Sequence, residues 1–405
     1  MKLTATIIII GDEILLGRVL DTNSGFISRA LDREGVTVKR IVTVGDNAAE
    51  IRHAVDSALA VADIVITTGG LGPTKDDITK RVLLERFGGT MVRNNDVTAH
   101  LHDWAARRGM KLNELTLDQA LVPSSADVMV NRLGSAPIMF FNENGKTLVT
   151  MPGVPFETEG MLPDVLGAIL ADGKADGRRH STFIVTGITE SALAMRLATF
   201  EEQLPEGFSL AYLPDSPVIK LRLDGVPDDR FSTIEEDLAQ RISDLMIGRG
   251  EKSIGQLVVE SLKTLGKTMA TAESCTGGNI AHLVTSVPGS SDIFNGGVVS
   301  YANSAKINVL GVSPETLAAH GAVSEQTVLQ MADGAARVLG TDYAVATSGI
   351  AGPGGGTDEK PVGTVWIGVH TPNGTFANVY RFPGNRDRVI ARASATALIN
   401  LLKSL

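Results

Sequence analysis

The segments TAESCTGGN (271–279) and GGVVSYANSAK (296–306) decide the fold predicted for the C-terminal part of this chain. Residues 268–274 alternate between apolar and other side chains, which predicts a short strand, and the residues after the Gly-Gly pair predict a helix. Ser274 then lies at a strand-to-helix junction, with its hydroxyl at the carboxyl edge of a sheet. We expect the backbone N–H groups of Thr276, Gly277 and Gly278 to be free to hold an anion or an oxyanion.

The second segment places two more reactive groups at that edge. Residues 297–301 predict a strand followed by a turn, so Tyr301 ends the strand and Lys306 lies just beyond it. A lysine desolvated in a pocket can take the proton of a serine hydroxyl and make it a nucleophile. If the two strands are neighbours, Ser274, Tyr301 and Lys306 form one catalytic group. In the alternative, Ser274 caps a helix, Tyr301 is a half-buried strand aromatic and Lys306 is a solvated loop residue.

Cys275, the only cysteine, adjoins Ser274 and competes with it as a nucleophile. No histidine lies near it in sequence to generate a thiolate, and neighbouring side chains of a strand point to opposite faces. We therefore expect Cys275 to be a small packing residue. A single cysteine also cannot form an internal disulfide, which fits a reducing compartment.

Two further segments carry predicted substrate-binding groups. The run SGIAGPGG (348–355) is a small-residue loop at a strand end, where ligands bind in open α/β sheets. Arginines at the start of the last predicted helix oppose the helix dipole unless they pair with an anion such as a phosphate. A solvated hairpin and solvated arginines are the alternatives. The predicted substrate-binding residues are Thr276, Gly277, Gly278, Ser348, Gly349, Gly352, Gly354, Arg386 and Arg388.

The N-terminal part repeats a plan of strand, turn and helix. Residues 4–31 predict a buried strand, a Gly-Asp-Glu turn and an amphipathic helix, and residues 63–88 predict a strand, a Gly-rich turn and a helix that begins near Thr74. Glycines let the backbone approach a ligand, and the helix N-terminus favours a phosphate or pyrophosphate. Asp76 and Asp77 also suit a first helical turn without any ligand. The predicted ligand site comprises Asp12, Glu13, Gly69, Gly70, Gly72 and Thr74.

Length and composition predict two or three domains, and the order of the predicted elements indicates an α/β protein. A chain of 405 residues exceeds what one hydrophobic core organises, and we place the domains at 1–172, 175–247 and 250–405. The middle segment predicts a β-α-β-β-α unit and the last a three-layer α/β domain. A net charge of −9 argues against a nucleic-acid partner, because phosphate binding needs clustered Lys and Arg. The apolar run 7–10 is too short for a membrane span or a signal peptide, so we expect a cytoplasmic protein with no membrane partner.

These motifs resemble the C-terminal domain of the CinA family. The resemblance rests on ESCTGG (273–278), on GGVVSY (296–301) with Lys306 after it, on SGIAGPGG (348–355) and on FPGNR (382–386). It implies hydrolysis of nicotinamide mononucleotide to nicotinate mononucleotide and ammonia, with Ser274, Tyr301 and Lys306 as the catalytic residues and no cofactor. In that reaction Ser274 attacks the amide carbon, and Lys306 takes the serine proton and passes it to the leaving ammonia. Tyr301 orients the reacting groups or relays a proton.

The N-terminal string TTGGLGPTKDD (67–77) is similar to the MogA and MoaB molybdopterin-binding proteins, whose fold the CinA family uses. The resemblance implies a MogA/MoaB-like three-layer α/β domain. It also implies a metal-dependent ADP-ribose pyrophosphatase, with a divalent metal near Asp76 or Asp77. The chain departs from the family pattern at Thr116-Leu117-Asp118, where the family has Asn-Arg-Lys, so an acid replaces a basic side chain that could hold a phosphate.

The predicted β-α-β-β-α unit resembles the KH-type linker domain of full-length CinA proteins. It lacks the GXXG loop flanked by basic residues with which KH domains bind RNA, so we expect a spacer and a dimer surface, and hence a homodimer. The partners implied are small nucleotides, namely nicotinamide mononucleotide and ADP-ribose. The alternative from another class is a non-catalytic regulatory protein that binds a pterin or a nucleotide.

Overall fold

The computed structural model describes residues 3–74, 76–170 and 179–405. The chain divides into two compact units, Met1–Arg178 and Arg179–Leu405. The boundary predicted between residues 172 and 175 lies outside the described residues. Within the described part of the chain, no helix combines the length and the apolar character needed to cross a membrane.

The first unit is built on one six-stranded sheet. Its elements are β1 (Thr4–Ile10), α1 (Asp12–Leu15), α2 (Asn23–Arg33), β2 (Thr37–Val44), α3 (Ala48–Val61), β3 (Ile64–Thr68), α4 (Thr79–Phe87), β4 (Met91–Arg93), α5 (Asn95–Arg107), α6 (Glu114–Leu117), β5 (Leu121–Pro123), β6 (Asp127–Met129), β7 (Ile138–Glu143), β8 (Lys146–Met151) and α7 (Pro155–Ile169). The strand order is β2-β1-β3-β8-β7-β6, parallel from β2 to β8 and antiparallel at β7 and β6.

The isoleucine run of β1 is buried on both faces of this sheet. Ile7 and Ile9 pack into the core that contains α2 and α7, whereas Ile8 and Ile10 pack into the core that contains α3 and α4. A continuous apolar run is typical of a parallel strand covered by helices on both sides. The predicted strand, turn and helix plan is thus confirmed for residues 4–31.

The start of α4 differs from the prediction. The helix begins at Thr79 and not near Thr74, because the Asp77 carboxylate accepts hydrogen bonds from the N–H groups of Gly72 (2.7 Å) and Thr74 (2.9 Å). These bonds close residues 72–77 into a loop, and an aspartate that bonds to preceding N–H groups competes with helix formation.

The second unit opens with a four-stranded antiparallel sheet of order β10-β11-β9-β12. Its elements are β9 (Arg179–Thr186), α8 (Glu190–Glu202), β10 (Ser209–Asp215), β11 (Val218–Gly225), α9 (Asp229–Arg241) and β12 (Met246–Arg249). The β-α-β-β-α prediction is confirmed, but β12 was missed. Its short MIGR sequence carries little periodic signal, and it becomes a strand by pairing with β9.

The rest of this unit forms a five-stranded sheet with helices on both faces. Its elements are α10 (Ile254–Leu265), β13 (Met269–Glu273), α11 (Asn279–Thr285), β14 (Phe294–Val299), α12 (Asn303–Asn308), α13 (Pro314–His320), α14 (Glu325–Leu339), β15 (Tyr343–Gly349), β16 (Thr364–Thr371), β17 (Gly374–Arg381) and α15 (Arg386–Leu402). The order is β14-β13-β15-β16-β17, and the first three strands are parallel.

Two features of this sheet decide where the site lies. β13 and β14 are neighbours, so the residues after Glu273 and Val299 meet at the same carboxyl edge. Lys306 lies in helix α12, where the sequence predicted only a turn. The two sheets of the unit also share a small apolar cluster of Ile184, Val218, Leu257 and Ile399.

Candidate active site

A buried glutamate shapes the turn that carries Ser274. Glu273 ends β13 with 1% of its surface exposed, and its carboxylate accepts hydrogen bonds from the N–H groups of Gly278 (3.0 Å), Ile280 (3.0 Å) and Ala281 (2.8 Å). The first N–H groups of a helix have no partner within the helix, and this carboxylate satisfies those of α11. Glu273 therefore fixes the turn with Ser274 at the sheet edge. Sequence reasoning missed this role, although an acid at the end of an apolar strand was a signal.

Two of the three N–H groups predicted to be free at residues 276–278 are hydrogen-bonded within the protein. Glu273 takes the Gly278 N–H, and the Gly277 N–H bonds to the Ser274 carbonyl at 3.3 Å. The Thr276 hydroxyl lies 2.7 Å from that of Thr347 and is buried with it. The two glycine N–H groups are therefore used to build the turn and do not face a ligand.

Lys306 reaches Ser274 from the facing helix. Its Nζ lies 3.1 Å from Ser274 Oγ, 2.7 Å from the Ser300 carbonyl oxygen and 3.4 Å from the Tyr301 carbonyl oxygen, and 1% of the residue is exposed. A neutral amine has two N–H donors and one lone pair, whereas an ammonium has three donors. The two carbonyls can only accept, whereas the Ser274 hydroxyl can accept from the ammonium or donate to the neutral amine, so this arrangement accommodates both forms of Lys306.

Burial also changes the pKa of Lys306. It lowers the pKa of the Lys306 ammonium below its usual value, because the charged form loses its hydration. Burial thus makes Lys306 easier to deprotonate than an exposed lysine, and its Nζ lies within hydrogen-bond distance of the Ser274 hydroxyl. The alternative of a solvated Lys306 is wrong.

Tyr301 and Arg386 form a second polar pair at the same edge. Arg386 donates one hydrogen bond to Tyr301 Oη (3.2 Å) and another to the Gly352 carbonyl oxygen (2.8 Å). Tyr301 is 63% exposed, so it is not the half-buried aromatic of the alternative interpretation. Because its oxygen accepts from Arg386, its O–H remains able to donate.

Gly352 is required where it stands. Its φ is 87°, and a Cβ there would come within 2.6 Å of a Val362 methyl carbon. The glycine-rich loop can therefore close the cavity wall only with a residue that lacks a side chain at this position.

These groups surround a cavity of about 290 Å³. It is lined by Ser274, Cys275, Tyr301, Asn303, Lys306, Ala322, Val323, Ser348, Gly349, Ile350, Ala351, Gly352, Gly354, Gly355 and Arg386. Of the predicted residues, Thr276, Gly277, Gly278 and Arg388 do not line it. Arg388 is exposed on α15, where its backbone N–H bonds to the side chain of Asn385.

Part of the cavity wall could not be found from sequence motifs. Ala322 and Val323 follow α13 and carry no chemical signal. Ser348 joins this segment to β15 by donating a hydrogen bond to the Ala322 carbonyl oxygen at 2.6 Å. Asn303 was missed as well, although it lies inside one of the quoted segments.

Cys275 lines the cavity but is almost wholly buried. Burial raises the pKa of its thiol to about 12, so the nucleophilic thiolate is not populated near neutral pH. This agrees with a packing role for Cys275.

The first unit has a separate cavity of about 390 Å³ at the ends of β1 and β3. The predicted residues that line it are Glu13, Gly69, Gly70, Gly72, Asp76 and Asp77, whereas Asp12 and Thr74 do not. Gly69 has a φ of 108°, and a Cβ there would lie 2.0 Å from the Ile10 carbonyl oxygen, so the turn needs glycine. Asp46 adds a carboxylate whose pKa is raised by burial and by nearby acids.

The acids of this cavity differ in how they are bonded. Both oxygens of Asp77 accept N–H groups of its own loop, so the residue anchors that loop. Among residues 3–74, 76–170 and 179–405, no group of three or more His, Cys, Asp or Glu side chains is arranged to hold a metal ion. The divalent metal near Asp76 or Asp77 therefore stays a prediction, and we derive no metal-dependent step from it.

The family departure at Asp118 lies away from the cavity. Asp118 accepts a hydrogen bond from Arg93 at 3.2 Å and does not line the N-terminal cavity. The acid at this position therefore does not repel a phosphate bound at the glycine turn by direct contact.

Comparison with known proteins agrees with the motifs. Residues 6–171 match the model of a probable molybdopterin binding domain, and residues 251–405 match the CinA C-terminal domain. A CinA-like protein of Cytophaga hutchinsonii is 41% identical over 407 residues, which cover 98% of this chain and 97% of that protein. The chain belongs to the CinA-like protein family.

Further similar proteins match either the whole chain or a part of it. A CinA-like protein of Chloroherpeton thalassium is 40% identical to this CinA-like chain over 416 residues, covering 99% of both. The crystal structure of a competence/damage inducible protein from Agrobacterium tumefaciens is 43% identical and covers 37% of this chain and 92% of its own, with a TM-score of 0.37.

Proposed function

We propose that this CinA-like protein hydrolyses the carboxamide of nicotinamide mononucleotide to nicotinate mononucleotide and ammonia in the C-terminal cavity. The observation that carries the proposal is the 3.1 Å contact between Lys306 Nζ and Ser274 Oγ, with two carbonyl acceptors beside the amine. A serine and a buried, neutral lysine are sufficient for acyl transfer from an amide.

The reaction proceeds in two halves. Ser274 Oγ bonds to the amide carbon while its proton passes to Lys306, and Lys306 then protonates the departing nitrogen as the C–N bond breaks. A water molecule next attacks the ester formed on Ser274, giving its proton to Lys306, which returns it to Ser274 Oγ as the ester bond breaks. The carboxamide and water are consumed, and a carboxylic acid and ammonia are formed.

The cavity also has groups suited to a mononucleotide. With Lys306 neutral, Arg386 is the cation that lines the cavity, and one guanidinium suits a single phosphate group. Tyr301, held by Arg386, is placed to orient the substrate with its free O–H. A protein that only binds a nucleotide would not need a buried lysine within hydrogen-bond distance of a serine.

The Lys306 base predicts the direction of the pH dependence. Lys306 must be neutral to act, so kcat/KM is expected to rise with pH and to level off above its lowered pKa, which lies below the usual value of a lysine. The pH profile of ammonia release by the full chain measures this. A rate that instead falls as the pH rises from acid to neutral would contradict a lysine base.

We propose a second activity, ADP-ribose hydrolysis, for the first unit. The supporting observation is the cavity at Gly69, Gly70 and Gly72, whose backbone can approach a pyrophosphate. Asp76 lines this cavity and, unlike Asp77, is not bonded to the loop backbone N–H groups of Gly72 and Thr74. Asp76 is therefore the carboxylate that we expect to act on a ligand.

The variant Asp76→Ala, alone or with Asp77→Ala, is expected to remove ADP-ribose hydrolysis, measured with and without added Mg²⁺, and to leave deamidation unchanged. Each cavity is built from residues of its own unit, and changes without shared partners act independently. Ser274→Ala is the matched control and should retain ADP-ribose hydrolysis. Unchanged ADP-ribose hydrolysis in the double variant would remove this site from the proposal.

A further inference from the structure

Asn303 lies on the same face of α12 as Lys306. Residues three apart on a helix are neighbours on its surface, so Asn303 stands one turn before Lys306. Both line the cavity that contains Ser274, whereas Ala302, Ser304 and Ala305 do not. The helix thus presents one amine and one carboxamide to the same cavity.

The Asn303 amide has no structural task. Ala302 is the N-cap of α12 and makes no side-chain capping bond, so Asn303 does not serve as a cap. Within the described part of the chain, its side-chain amide makes no hydrogen bond, although the residues around it are bonded to one another. Asn303 is exposed, so its amide is solvated in the free protein and can exchange water for a ligand in the cavity.

The reaction proposed above needs a hydrogen-bond donor for the substrate oxygen, and the two glycine N–H groups of the turn after Ser274 do not supply it. When Ser274 attacks an amide, the carbonyl oxygen gains negative charge and must be held by donors already in place. The Gly277 and Gly278 N–H groups are taken by the Ser274 carbonyl and by Glu273. These two N–H groups are therefore not available to this charge, and a side-chain donor that lines the cavity can help to stabilise it.

We propose that Asn303 is a catalytic residue whose side-chain N–H₂ donates a hydrogen bond to the carbonyl oxygen of the substrate amide, and to the oxyanion that this oxygen becomes. The inference rests on the proposed Ser274 chemistry but not on the identity of the nucleotide. Because Asn303 and Lys306 share one helical face, the donor and the base approach the amide under attack from the same helix.

Two substitutions of Asn303 test this role. Asn303→Ala removes the donor, and Asn303→Asp replaces it with a carboxylate of nearly the same shape that accepts only and repels an oxyanion. Removal of one such donor costs about 10²–10³-fold in kcat with little change in KM. We expect that loss for Asn303→Ala and a larger one for Asn303→Asp, measured as ammonia release from nicotinamide mononucleotide by the full chain.

Ser304→Ala is the matched control, because Ser304 is the next residue of α12 and does not line the cavity. It should retain the parent rate. Aspartate suits the first turn of a helix, so Asn303→Asp should unfold at the parent temperature. A kcat for either Asn303 variant within a few-fold of the parent value, in a protein of parent melting temperature, would overturn the assignment.

A second measurement separates this inference from the choice of substrate. A fluorophosphonate probe bonds to Ser274 Oγ with loss of fluoride, while the serine proton passes to Lys306. The phosphoryl oxygen of the probe takes the position of the substrate oxyanion and needs the same hydrogen-bond donor. We expect labelling of Ser274, followed by mass spectrometry, to be at least about 10-fold slower in both Asn303 variants than in Ser304→Ala.

The outcomes of the two assays are distinguishable. If the parent chain labels but releases no ammonia, the substrate is wrong, and slow labelling of the Asn303 variants still supports the donor. If the Asn303 variants label as fast as the parent chain, the donor role is wrong whatever the substrate. Absence of labelling in the parent chain, together with no ammonia release, would overturn both proposals.

Discussion

The variant Ser274→Ala is expected to lose ammonia release from nicotinamide mononucleotide by a factor on the order of 10³ or more, since it removes the atom that bonds to the amide carbon. The fold should survive, because Lys306 keeps its hydrogen bonds to two backbone carbonyls without this hydroxyl, and the Glu273 side chain satisfies N–H groups of the turn. Ammonia release is compared with the circular dichroism spectrum and the melting temperature.

Cys275→Ala is the control for that experiment. Cys275 adjoins the nucleophile and lines the same cavity, but its buried thiol stays protonated near neutral pH. We expect nearly the parent rate and a small loss of stability from the lost sulfur. If Cys275→Ala is the inactive variant and Ser274→Ala is active, the thiol is the nucleophile and the proposed mechanism is wrong.

The variant Lys306→Arg should fail almost as completely as Lys306→Ala, again by about 10³-fold or more. A guanidinium stays charged at accessible pH and has no lone pair for the serine proton, although it retains the positive charge of an ammonium. Arginine is also larger than the buried site, so Lys306→Met, which matches the length of lysine without its charge, serves as the second variant. Rates of ammonia release and melting temperatures are measured for all three.

The Lys306 series separates a base from a simple cation. If Lys306→Arg retained a substantial rate, the site would need only a positive charge, for example to hold a phosphate. If all three variants were inactive and unfolded at the assay temperature, labelling by a fluorophosphonate would be measured at a lower temperature, where they are folded. Loss of labelling there would report directly on the activation of Ser274. The expected result is folded and inactive Lys306→Met.

Much of the site could be predicted because its signals are local in sequence. A strand that ends in small residues before a helix exposes its last side chains at a sheet edge, and this placed Ser274 correctly at such a junction. Tyr301 and the glycine-rich loop were placed by the same reasoning at the ends of β14 and β15. The family resemblance was also confirmed, because it rests on motifs that span the whole C-terminal domain.

Two of the errors share one physical cause, which is competition between hydrogen-bond partners. At 276–278 the sequence predicted free N–H groups, but a buried carboxylate takes one of them. Near Thr74 it predicted a helix start, but the Asp77 side chain closes a loop first. Neither outcome is visible in periodicity, because each depends on which acceptor reaches a given N–H group in three dimensions.

The sequence by itself determined the kinds of elements, the motifs and the identity of the reactive residues, since periodicity, glycine positions and side-chain chemistry are local properties of the chain. Only the tertiary structure decided that β14 lies beside β13, which brings Lys306 to Ser274 from 32 positions along the chain. It also decided that Lys306 is buried against two carbonyls and that Asn303 lines the same cavity. Strand order and burial arise from packing between distant segments, and the protonation state of a lysine follows from that burial.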